Sequence, residues 1–75
     1  MKFEPCRCKH TGKIFCLVTL EDDETKENIK KRDSKIREEC LNLCQTEDEA
    51  IGVANSPIEV IEEACGFYIA IFLDL

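Results

Sequence analysis

The chain has 75 residues, a formal net charge of −6 and six cysteines. A chain this short forms one small domain that buries only about 60–65% of the surface it exposes when unfolded, which leaves a thin margin of stability. Its acidity argues against ordinary nucleic-acid binding, since phosphates repel a net anion, and its densest apolar run, Ala64–Leu73, is too short to cross a bilayer as a helix.

Residues 1–20 carry scattered charge and no continuous apolar segment, so no secretory signal is read there and the expected compartment is the cytoplasm. In a reducing compartment the cysteines would be thiols, metal ligands or small buried hydrophobes; disulfides would fit a hyperthermophile or its virus.

Within residues 1–20 the pattern is that of a β-hairpin. Lys13–Leu20 alternates Ile14, Cys16, Val18 and Leu20 with Lys13, Phe15, Leu17 and Thr19. Phe3–Cys8 supplies the partner strand, and Pro5 places that strand at a sheet edge. A three-residue loop, His10-Thr11-Gly12, would pair Lys9 with Lys13, Cys8 with Ile14 and Cys6 with Cys16, putting Cys6, Cys8 and Cys16 on one face.

Glu21-Asp22-Asp23-Glu24 reads as a solvated connection, and Lys26 to about Cys44 as a long helix with Ile29, Ile36, Cys40 and Leu43 on one stripe. Glu27 with Lys31 and Asp33 with Arg37 are favourable pairs at four-residue spacing. Thr46-Glu-Asp-Glu49 is a capping box opening a short helix. Ser56-Pro57-Ile58-Glu59 repeats that signature, which predicts a last helix ended by Gly66. Phe67–Leu73, rich in β-branched and aromatic residues, predicts a buried final strand. The fold class expected is therefore α+β: a single domain over residues 1–75, with an N-terminal hairpin, a long helix and one or two short helices. The C-terminal strand would complete a three-stranded sheet. That strand is apolar on both sides, while one layer of helices covers only one side, so the other face could be exposed or covered by a second copy.

Two groups of residues carry chemistry. Cys6, Cys8, Cys40 and Cys44 are the most economical tetrahedral set for one zinc ion, whose binding energy would become folding energy. No CxxC pair supports them, and Cys16, Cys40 and Cys65 fall on apolar stripes, as core thiols would. The only histidine, His10, lies in the expected hairpin turn. With no reactive CxxC, no oriented base and no phosphate-cradling glycine loop, the chain reads as a non-enzyme.

The second group is acidic. All ten Lys and Arg lie in residues 1–37, beside seven acids; residues 38–75 hold nine acids and no basic residue. Glu59, Glu62 and Glu63 would crowd one side of the last helix, and Glu38, Glu39, Glu47, Asp48 and Glu49 add a second cluster. A one-sign field suits steering towards a basic surface, such as the groove of a nucleic-acid-binding protein. The expected function is a protein-binding inhibitor or regulator that presents these acids to a basic partner, as a nucleic-acid mimic would. Two other readings stand beside it. One is a zinc-stabilised regulator touching nucleic acid through Lys30, Lys31, Arg32 and Lys35; the other is the subunit of a structural homodimer. In general character (tiny, acidic, cysteine-rich) the chain is similar to small phage and mobile-element proteins that bind and inhibit host or defence proteins. It shares no motif with them, so no residue role carries over.

Overall fold

Strict alternation in the second strand decides the architecture, because it gives the sheet one side that must be covered. In the computed structural model, which describes all 75 residues, the elements run β1 (Lys2–Arg7), β2 (Ile14–Thr19), α1 (Lys26–Lys31), α2 (Asp33–Leu41), α3 (Glu47–Asn55), β3 (Ile58–Ala64) and β4 (Phe67–Phe72). The strands form one antiparallel sheet in the order β1-β2-β4-β3. Ile14, Cys16 and Val18 of β2 and Ala70 and Phe72 of β4 are buried, together with Ile29, Ile36, Cys40 and Val53 from the three helices. The α+β class and the N-terminal hairpin are as the sequence predicts, and so is the helical stripe.

Five details differ from the sequence reading, each for a physical reason. The sheet has four strands, because Ile58–Ala64 is a strand and not a helix. Ser56 caps the C-terminus of α3, donating its N–H to the Gly52 carbonyl, and its backbone is extended at ψ 144°. Gly66, at φ +76°, supplies the left-handed position of the tight turn joining β3 to β4. The same glycine chemistry that can stop a helix here reverses a hairpin.

The N-terminal hairpin is one residue out of the expected register. Cys8 N–H donates to Lys13 C=O at 2.8 Å and Gly12 N–H to Cys8 C=O at 2.9 Å, so the loop is longer by one residue than His10-Thr11-Gly12. Cys6 therefore pairs with Phe15, and Cys16 with Pro5. A slip of one residue exchanges the two faces of a strand. The long helix is divided at Arg32, whose φ of −102° and ψ of 18° fall outside the helical region and whose N–H closes a tighter turn on Ile29.

Two arginines tie the layers together. Arg7 lies on the helix side of β1; its guanidinium donates to the Leu43 carbonyl at 2.6 Å and the Gly12 carbonyl at 2.9 Å, and pairs with Glu49 at 2.7 Å. Arg37 on α2 donates to the carbonyls of Val53 at 2.9 Å and Ser56 at 2.7 Å, pairs with Asp33, and lies over the Phe72 ring. Both guanidiniums satisfy carbonyls where helices end, where the backbone has no partner of its own.

Candidate interaction surface

Pairing assigns every strand residue to a side. On the side facing the helices lie Phe3, Pro5 and Arg7; Ile14, Cys16 and Val18; Tyr68, Ala70 and Phe72; and Ile58, Val60 and Glu62. On the opposite side Phe15 and Leu17 of β2 abut Ile71 and Ile69 of β4, Thr19 abuts Phe67, and Ile61 of β3 abuts Ile69. Every helix packs on the first side, so this second side is an open sheet face. Phe67 remains 55% exposed and Ile61 38%. Phe15, Leu17, Ile69 and Ile71 are partly buried, each beside another apolar side chain of this face. Near the β1–β2 loop the face dips into a shallow depression of about 220 Å³ bounded by Phe15, Ile69, Ile71, Cys8, Thr11 and Lys13.

The acids expected on one helical side are distributed differently. Because residues 58–64 are extended, Glu59 stands on the open face opposite Ile71, and Glu62 on the helix side opposite Tyr68. Glu63 lies at the bulge where the β3–β4 register shifts, and all three are exposed. Glu47, Asp48 and Glu49 form the first turn of α3, where the helix dipole favours anions. Glu47 and Asp48 are exposed. Glu49 instead belongs to the fold: Arg7 holds its carboxyl below the usual carboxylate range, and it also accepts the Gln45 N–H. Glu38 and Glu39 lie 3.9 and 3.8 Å from Lys35. Lys30, Lys31, Arg32 and Lys35 are all exposed along α1 and α2.

The cysteines do not gather. Cys6 is on the open face, whereas Cys40 is buried beneath the other side of the sheet, and no group of three or more His, Cys, Asp or Glu side chains is placed to hold a metal ion. All six cysteines are free thiols. Cys16 and Cys40 meet in the core, and Cys40 is pushed well above the usual thiol range by its hydrogen bond with Cys16 and then by burial. Burial raises Cys6 and Cys44 as well, while hydrogen bonding from Thr11 lowers Cys8 in the loop. Cys16 and Cys40 thus act as small core hydrophobes.

Sequence reasoning missed both arginine clamps. Arg37 was visible only as the partner of Asp33, and nothing local marks Arg7, whose carbonyl partner on Leu43 is remote in sequence. The open face was legible in outline, from the doubly apolar pattern of Phe67–Leu73. No protein-family model, curated protein or solved structure matches this chain.

Proposed function

We propose that this protein is a non-enzymatic binding module, an inhibitor or regulator, which docks on another protein through the open face of its sheet. The observation that carries this reading is the apolar patch of Phe15, Leu17, Ile61, Phe67, Ile69 and Ile71 on a side that no helix covers. Strand spacing gives the patch a projected footprint of roughly 300 Å², the scale at which exposed apolar surface on small proteins is commonly functional. Such a surface supplies affinity by releasing water, without direction or chemistry of its own.

Charge then selects the partner. Glu59 and Glu4 stand on the same face at its two edges, where Lys2 and Lys13 also lie, and Glu63 is exposed at the β3 bulge beside it. A protein with an apolar centre and a basic rim, as nucleic-acid-binding proteins offer, is the complementary surface. Affinity on this reading comes from the apolar centre, and the acids set the rate and choice of encounter.

The test is quantitative affinity capture from the native host with the wild-type chain, a Leu17→Ser/Ile69→Ser variant and a Glu59→Lys/Glu63→Lys variant, each checked for native circular dichroism. A protein retained by the wild type, lost with the serine variant and weakened by charge reversal supports the proposal. Identical retention by the wild type and the serine variant refutes it.

A further inference from the structure

The sheet has a second unsatisfied feature, independent of its open face: the free edge of β3. This strand pairs only with β4. Leu73 N–H donates to Pro57 C=O at 3.0 Å, and antiparallel bonding alternates along the strand. Glu59 and Ile61 therefore turn their backbone groups to β4, while Ile58, Val60 and Glu62 turn theirs outward. No turn, cap or loop hydrogen bond of the chain reaches those outward groups. Beside the edge runs a groove of about 370 Å³ between β3 and the α1–α2 pair, lined by Ile29, Ile36, Ile58 and Val60 and, at its rim, by Lys26 and Lys30. Neither lysine forms an ion pair within the chain; of the two acids that also line the groove, Asp33 is engaged by Arg37 and Glu59 lies within ion-pair distance of neither lysine.

We infer that this edge and groove receive the β3 strand of a second copy of the chain, joining two four-stranded sheets into one of eight strands about a two-fold axis. The sequence of β3 is complementary to itself when laid antiparallel about Val60. Val60 then faces Val60 of the second copy, Glu59 faces Ile61 of the second copy on the open side, and Ile58 faces Glu62 of the second copy on the helix side. All pairs keep their sides of the sheet, and the outward backbone groups of Ile58, Val60 and Glu62 meet their counterparts. No two acids stand opposite each other. Glu62 has no cation partner in its own chain, and Tyr68 stands opposite it on that side. In the pair it is delivered next to Ile58, beside Lys26 and Lys30 of the other copy, and the symmetry makes this contact twice. A register centred on Glu59 or Ile61 would instead set Glu59 against a glutamate of the second copy, which like-charge repulsion disfavours.

Sedimentation of the full chain from about 10 µM to about 1 mM, the range in which modest interfaces titrate, reads this directly. The expected result is a species of twice the chain mass. Glu62→Lys should raise the midpoint concentration of its formation by about tenfold or more, and Lys26→Glu/Lys30→Glu in the same chain should bring the midpoint back. That rescue separates a broken contact from a broken fold. A wild-type chain that stays monomeric throughout overturns the inference, and so does a dimer indifferent to Glu62→Lys. Association strengthened by Glu62→Lys also overturns it, since Glu62 would then be a guard against edge pairing. Leu17→Ser/Ile69→Ser should leave this dimer intact, so the edge and the open face stand or fall separately.

Discussion

Truncating Arg37 to alanine removes one side chain that three elements share. Its guanidinium, mostly buried, donates to the Val53 and Ser56 carbonyls at 2.9 and 2.7 Å, at the end of α3, and lies 5.7 Å from the centre of the Phe72 ring. Hydrogen bonds from an ionised donor contribute about 1.5–3 kcal/mol each, and a cation over an aromatic face about 0.5–2 kcal/mol. Against these stands the side-chain entropy recovered on truncation, about 2 kcal/mol for an arginine. The net cost is about 2–6 kcal/mol. A domain of this size has about 4–11 kcal/mol in all, and each kcal/mol moves Tm by about 4–8 °C. Arg37→Ala should therefore lower Tm by about 8 °C or more, measured by circular dichroism with urea titration as a second reading. Asp33→Asn is the control: Asp33 is half-exposed, and its ion pair contributes no more than about 1 kcal/mol. Arg37→Ala melting within about 3 °C of wild type, or no worse than Asp33→Asn, would refute the clamp.

Gly66→Ala should cost about 1 kcal/mol, from the positive φ alone, because an added Cβ would meet nothing closer than the Leu20 carbonyl at 3.6 Å. Gly66→Asn should lose less in the same urea titration, since asparagine tolerates this region; equal losses would contradict that cause. Glu49 has its folded pKa lowered, chiefly by the Arg7 hydrogen bond, so its contribution is present above its unfolded pKa and disappears as pH falls through the folded one. The urea-midpoint difference between wild type and Glu49→Gln should be constant near neutrality and shrink below about pH 4.3; a difference unchanged down to the acid transition would contradict the pairing. Brief alkylation at neutral pH, read by peptide mass spectrometry, should label exposed Cys65 and the lowered Cys8 first, and reach Cys16 and Cys40 only in denaturant. Labelling of Cys40 at the rate of Cys65 would place it outside the core.

What could be read in the sequence was whatever a short window determines. The alternation of Ile14, Cys16 and Val18, the stripe of Ile29, Ile36 and Cys40, and the Thr46 cap, whose oxygen accepts the Glu49 N–H at 3.1 Å, are all local. Ser56-Pro57-Ile58-Glu59 misleads because its signature is local while its outcome is not. A helix cap contributes about 1 kcal/mol, whereas an extended Ile58–Ala64 gains a ladder along β4 and lays Ile58 and Val60 over the core. The β-branched run Ile58, Val60, Ile61 was the competing signal, and tertiary pairing decided in its favour. The candidate zinc ligands and the single acidic side rested on register and helix phase, respectively. Each depends on where a turn or a strand begins, and one residue in the hairpin loop was enough to part Cys6 from Cys16.

Binding through the open sheet face is tested most directly by methyl NMR of the isotope-labelled chain titrated with the protein it captures. The account predicts shift changes concentrated on Leu17, Ile61, Ile69 and Ile71. Leu41 and Ile51, more accessible but on the helix side, should be unmoved. Perturbations centred on Leu41 and Ile51, with the sheet methyls silent, would contradict it.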